Sequence, residues 1–502
     1  MKNLKTISFL FVYILFLSLY TSCSNNDDTN VEEPNVPVTL ENEVNDFVWS
    51  GLNFYYLWQD DVPNLADDKF STQDEFYTFL NSYNAPEDIF DALLYKKDEV
   101  DKFSFLVDDY VELENSFQGT SKTNGLDFRL VRLSGSDDIF GYVRYVANNS
   151  DAASKDIKRG DFFLTVDSQQ LTINNYTDLL FGANDSYTLG MASITNSTIA
   201  SNGKTVALTK TDFTESPIHI NNVIETNGVK VGYLMYNQFI RNFETGLNDA
   251  FTQLKAEGVS ELVLDLRYNP GGSVATAVSL AGMITGQFEG QIFYKNEYNS
   301  RIQEYYEVNR PDFLVDKFRN TLTDGSSLTN LNLNKVYVLT TSASASASEL
   351  IINCLTPYIE VVHIGTNTTG KFHGSFTLYD SPNFTKDNVN PNHSYAIQPL
   401  TVKLTNVNGV SDYYDGLVPN HIITYQTSSG SIAQGENIVN LGVLGDMNEP
   451  FLAKALSLIT GGTTKFGEIS KSVKGIDIEP ITDSKDFTPL GKGMFFELKT
   501  ME

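Results

Sequence analysis

Lys335-Val336-Tyr337-Val338-Leu339-Thr340 runs straight into Thr341-Ser342-Ala343-Ser344-Ala345-Ser346-Ala347-Ser348, and Glu349-Leu350-Ile351-Ile352-Asn353-Cys354-Leu355 follows at once. The first hexapeptide is β-branched and apolar, as a buried strand requires, and the last heptapeptide reads as an apolar helix. The stretch is therefore a strand–turn–helix junction, the unit of an α/β layer structure. Such a junction presents a side chain at the head of a helix, where free N–H groups and the helix dipole favour developing negative charge. Small residues on either side let a substrate backbone come close. A low-complexity loop is the plainer reading, and Ser342, Ser344, Ser346 and Ser348 all compete for the role of nucleophile.

Two further segments share this architecture. Tyr358 to Ile364 reads as the next strand, and Gly365-Thr366-Asn367-Thr368-Thr369-Gly370-Lys371-Phe372-His373-Gly374-Ser375 follows it. A lysine beside glycines just past an apolar strand is a candidate base, because desolvation lowers an ammonium pKa toward neutrality. Upstream, the strand Glu261 to Leu266 ends in Arg267-Tyr268-Asn269-Pro270-Gly271-Gly272. Paired glycines after a strand turn backbone N–H groups outward, as an oxyanion hole requires, although a tight structural turn has the same signature. The neighbouring pattern keeps to α/β alternation: strand Val229 to Tyr236, helix Phe243 to Glu257, helix Val274 to Met283.

Together the three segments resemble the tail-specific, or C-terminal-processing, serine proteases (S41-type peptidases). In that family an Asp-Leu-Arg-x-Asn-x-Gly-Gly stretch precedes Ser-Ala-Ser-Ala-Ser-Glu, and Gly-Lys follows in the next loop. The resemblance covers about residues 116 to 425 and implies Ser346 as nucleophile, Lys371 as general base, and N–H groups of Gly271 or Gly272 with Ala347 as the oxyanion hole. Where many members carry a Gln that orients the lysine, this chain has Ser375, and where some carry an acidic residue it has Pro357. A catalytic core of the α/β spiral (crotonase or ClpP-like) kind is also implied, with no metal or organic cofactor.

Farther out, residues 40–115 are helical and aromatic, with Phe47, Trp49, Leu52, Tyr55, Tyr56, Trp58, Phe76, Phe79 and Leu80 at helical spacing, a surface for packing. Residues 116–213 change to short alternating strands, and their order resembles a PDZ domain. Gly125-Leu126-Asp127-Phe128 stands where such domains bind a terminal carboxylate, and Lys158-Arg159-Gly160-Asp161 where they turn. Asp127 departs from that pattern, since its negative charge opposes a carboxylate ligand. Residues 217–425 form the peptidase core. Residues 426–502 read as a docking segment in which Phe451, Leu452, Ala455, Leu456 and Ile459 share one helical face. The fold class expected is thus multidomain α/β.

The beginning of the chain carries a different message. Lys2 and Lys5 precede an apolar run, Ile7 to Leu19, too short to favour a membrane-spanning helix, and Tyr20-Thr21-Ser22-Cys23 closes it. This resembles a lipoprotein signal, residues 1–22, with Cys23 as the lipidated residue and 23–39 as a polar tether. The implied location is the envelope of a Gram-negative-type bacterium, as an outer-membrane lipoprotein. The only other cysteine, Cys354, lies in an apolar stretch and has no intrachain partner once Cys23 is acylated. A net charge of −28 speaks against nucleic acid, which is bound by neutralising phosphates, while the resemblances imply polypeptide substrates and a membrane reached through the lipid at Cys23. The function expected is a serine endopeptidase of envelope or extracellular polypeptides. Two alternatives are a catalytically inactive peptide-binding lipoprotein and a hydrolase whose base is His373 or His363.

Overall fold

The computed structural model describes residues 37–133, 136–195, 197–462, 473–488, 491 and 493–496. Cys23 and its flanking signal and tether lie outside the described residues, apart from 37–39.

The centre is a six-stranded sheet in the order Ile218–Thr226, Val229–Tyr236, Glu261–Asp265, Lys335–Thr340, Glu360–Gly365, His421–Ile422. The first pair is antiparallel and every later pairing is parallel. Strands covered on both faces read as continuous apolar runs, which is why Leu262-Val263-Leu264 and Val336-Tyr337-Val338-Leu339 show no polar alternation. Leu262, Leu264, Val336 and Val338 pack with Ala277, Ala281, Leu350 and Ile351 of the helices Val274–Thr285 and Ala347–Leu355. Val263, Tyr337 and Leu339 face the other way, onto Phe451, Leu452, Ala455 and Leu456 of the helix Pro450–Ile459. The shared apolar face read in that last helix is its packing surface.

A second six-stranded sheet runs in the order Gly272–Ser273, Met494–Phe496, His373–Phe376, Leu400–Asn406, Ile292–Glu297, Val315–Lys317. The aromatic helices Glu43–Tyr55 and Pro86–Leu93 pack beside it, with Ile302, Tyr306, Phe376 and Ile397 in one apolar cluster.

Residues 126–209 form a third sheet around its own core of Leu130, Val143, Phe163, Leu189 and Leu208. Its final strand, Thr198–Thr209, begins seven residues before the Thr205 expected from sequence, because it pairs along most of Ser186–Thr195. A strand from far downstream, Ile478–Asp483, completes this sheet by pairing antiparallel with Leu126–Leu133. The 426–502 segment therefore contributes one strand to each of these two larger sheets, as well as the helix and the strand Ile432–Gln434 of a small pair with Thr424–Gln426.

Candidate active site

The strands Glu261–Asp265, Lys335–Thr340 and Glu360–Gly365 are adjacent and parallel, so the loops that leave their carboxyl ends emerge side by side. Those loops are the three motifs read from the sequence. Hydrogen bonds lock them together: Ala345 N–H donates to Asn269 O (3.1 Å), Thr369 N–H to Ser344 O (2.9 Å), and Thr369 Oγ1 to Ser342 O (2.9 Å).

The structure separates the four competing serines. Ser344 Oγ donates to Leu266 O (2.8 Å) and Ser348 Oγ to Asn269 O (3.0 Å), while Ser342 is exposed and accepts from Arg129 (3.3 Å). Ser346 is fully buried, and its Oγ has no hydrogen-bond partner among the described residues. It stands at the head of the helix Ala347–Leu355 with φ 65° and ψ −116°, a conformation an L-residue holds only under constraint. The turn lifts its side chain toward the glycine pair. A methyl group built on Gly271, at φ 110°, would lie 2.6 Å from Ser346 Oγ, and one on Gly272, at φ 129°, 2.1 Å from Phe239 O. Only glycine fits either position.

Gly271 N–H donates to Asn269 Oδ1 (2.9 Å), and Gly272 is paired with Phe239 on one side and Met494 on the other.

Glu349 is the residue that sequence reasoning passed over. Its buried carboxylate accepts Ser346 N–H (2.7 Å) and Lys371 N–H (2.9 Å) on one oxygen, and Gly370 N–H (2.7 Å) and Thr368 Oγ1 on the other. One side chain thus fastens the backbone of the serine loop to that of the lysine loop. Burial pushes its carboxyl up to about 7, against the pull of these four donors. Its position three residues past Ser346, at the third residue of a helix, is the signal that could have revealed it.

Lys371 is buried, with Nζ 5.0 Å from the Phe103 ring centroid. Its Nζ and Ser346 Oγ are not hydrogen-bonded here, and Ser375 Oγ donates to Met494 O (3.0 Å). His363 shares a 2.6 Å hydrogen bond with Thr340 Oγ1, and burial holds its ring down at about 4. His373 packs between Phe372 and Trp58, and burial lowers it to about 3. Both histidines have structural surroundings, which gives a histidine base no support.

Behind the glycine turn lies a buried ionic network. Arg267 binds Asp265 (2.6 Å) and Glu449 (2.6 Å), and Arg159 binds Glu436 (2.7 Å) and Tyr268 Oη (2.6 Å). Burial alone would raise the Glu436 carboxyl, but the Arg159 and Arg267 guanidiniums outweigh it and hold it at about 2. The motif arginine therefore anchors the turn that carries Gly271 and Gly272.

In the Gly125–Phe128 segment the amides already have partners. Gly125 N–H donates to Thr123 Oγ1 (3.0 Å), Leu126 N–H to Asn124 Oδ1 (3.0 Å), and Phe128 N–H to Ser484 Oγ (3.1 Å). Asp127 is buried against Arg144 in an ion pair of 2.5 Å, so its charge is neutralised internally.

These features bring together a strained serine at a helix head, a glycine turn against its hydroxyl and a buried lysine on the next loop, an arrangement chemically suited to nucleophilic attack by a serine. Residues 230–383 match the model of peptidase family S41, and residues 43–105 match the N-terminal domain of that family. Over these two stretches the chain is similar to peptidase family S41. It is 30% identical over 168 residues to a carboxyl-terminal-processing protease of Picosynechococcus, covering 34% of this chain and 35% of that one. With a protein of Staphylococcus aureus named as a CtpA-like serine protease it shares 28% identity over 154 residues, 31% of this chain and 27% of that one. The match thus spans about a third of the length of these curated relatives. A crystal structure of a Bacteroides fragilis protein assigned as an S41 protease superposes with a TM-score of 0.63 at 26% identity, over 83% of this chain and 98% of that one.

Proposed function

We propose that the protein is a serine endopeptidase in which Ser346 attacks a peptide carbonyl and Lys371 accepts the hydroxyl proton. The acyl-enzyme forms as the amine leaves with that proton, and water then hydrolyses it. The N–H group of Gly271 or Gly272, together with that of Ala347, holds the oxyanion. The observation that carries this reading is the buried, unpartnered Ser346 Oγ at a strained helix head, tied through Glu349 to the backbone of Lys371. Substrates are extended or unfolded polypeptides of the envelope or the exterior, reached from a lipid anchor at Cys23 in the outer membrane. The 116–213 region serves as a PDZ-like module and 217–425 as a spiral-type core.

The test compares casein cleavage by residues 24–502 with that by Ser346→Ala and Lys371→Ala. Activity lost in both variants, with circular dichroism unchanged, upholds the mechanism. Activity that survives Lys371→Ala removes lysine as the base. The second reading, a peptide-binding lipoprotein without peptidase activity, draws on one observation: Ser346 Oγ and Lys371 are not hydrogen-bonded. An inactive parent protein would favour it.

A further inference from the structure

The late strands Ile478–Asp483 and Met494–Phe496 lie at the two places where this molecule could take up an extended peptide. Ile478–Asp483 pairs antiparallel with Leu126–Leu133, a strand that would otherwise be an edge of its sheet, since its other neighbour is Ile139–Val146. Ser484 then caps Phe128 N–H at the loop read as a carboxylate site. Lys485 Nζ reaches the carbonyls of Asn237 (3.1 Å) and Tyr268 (2.9 Å), which draws the segment to the glycine turn.

The second place is a slot in the other sheet. Met494–Phe496 lies between Gly272–Ser273, the end of the glycine turn, and His373–Phe376, the strand that begins two residues past Lys371. Met494 pairs with Gly272, and Phe495 with both Ser273 and Ser375. Strands in a sheet stand about 4.8 Å apart, so without this segment a gap of about 10 Å would open, the width of one peptide strand. Two cavities flank the segment. One, of about 550 Å³, is lined by Pro270, Ala345, Phe103 and Gly491, and the other, of about 660 Å³, by Ser273, Phe376, Phe495 and Phe496.

We propose that this slot is the peptide-strand site of the enzyme and that Met494–Phe496 occupies it in cis, keeping Ser346 closed until that strand is displaced. The proposal rests on the peptidase reading for its catalytic half and on strand pairing alone for its binding half. Strand addition relies on main-chain hydrogen bonds, which any extended peptide supplies, so a foreign peptide and the internal segment compete for the same positions. The apparent affinity of the foreign peptide is then reduced by the fraction of molecules in which the slot is open.

The test uses the full chain with Ser346→Ala and a fluorescein-labelled peptide of the sequence 478–496, followed by anisotropy. Adding Phe495→Asp, which places a charge against Phe117, is expected to tighten peptide binding at least tenfold. A cysteine pair, Phe376→Cys with Phe496→Cys, pins the segment by cross-linking paired positions. Its oxidised form is expected to exclude the peptide and its reduced form to readmit it. Equal binding with the segment pinned and released, or no binding in any form, would overturn the proposal. The pinned comparison decides the matter should Phe495→Asp fail to fold by circular dichroism. Fluorophosphonate labelling of the same forms with Ser346 intact separates the two readings. Labelling absent throughout, with peptide binding ordered as expected, would remove the peptidase reading and leave the slot. Labelling that proceeds equally whether the segment is pinned or released would remove the slot and leave the peptidase.

Discussion

At the scale of single residues, the arrangement depends on Gly271 and Glu349. Gly271→Ala brings a methyl group to 2.6 Å from Ser346 Oγ at a backbone angle that L-residues rarely adopt. The strain costs about 1–3 kcal/mol. We expect a lower thermal midpoint and casein cleavage reduced about 100-fold or more, since the intruding carbon sits where the nucleophile must move. Glu349→Gln turns one acceptor oxygen into an amide donor facing two buried donors, at a cost of about 2–4 kcal/mol. Because folding raises the Glu349 pKa, from 4.5 to about 7, its protonated form contributes stability that is complete below 4.5. That contribution is lost as the pH rises through about 7. Urea midpoints measured from pH 4 to 8 should show this decline in the parent and lack it in Glu349→Gln. The serine turn was legible in the sequence through its place between an apolar strand and an apolar helix, which left four serines open. Glu349 was not, because its role lies in joining two loops that only the sheet brings together.

At the scale of elements, the central strands were readable because a sheet buried on both faces leaves uninterrupted apolar runs, and their boundaries fell within a residue or two of those expected. The two late strands escaped notice for the opposite reason. Met494–Phe496 has three residues and Ile478–Asp483 contains Pro480, so neither carries a strong local signal, and each exists only through a distant partner. Asp127 illustrates the same limit: it reads as an obstacle to a carboxylate until Arg144, on the neighbouring strand, is seen to neutralise it. The ionic network beneath the glycine turn yields a prediction of its own. Glu436→Gln leaves Arg159 short of a buried partner, and such losses cost about 3–5 kcal/mol. Folding lowers the Glu436 pKa from 4.5 to about 2, so its contribution is present above 4.5 and disappears as the pH falls through about 2. The difference in urea midpoint between parent and variant should be full at pH 7 and smaller at pH 3.

At the scale of the whole molecule, the three sheets do not behave as separable units. Arg159, from the sheet of residues 126–209, reaches Tyr268 on the glycine turn and Glu436 downstream, and Arg129 and Arg144 both bind Asp483. We expect a single cooperative calorimetric transition for the described body, with Arg159→Ala splitting it in two; two transitions in the parent would contradict this. The pairing of the late strands also has a kinetic meaning. Phe128 N–H meets Ser484 Oγ across 356 residues of intervening chain, and closing so long a loop is entropically slow. The glycine turn thus acquires its last neighbour near the end of folding, and refolding followed by tyrosine fluorescence should run ahead of recovery of the environment of Ser346.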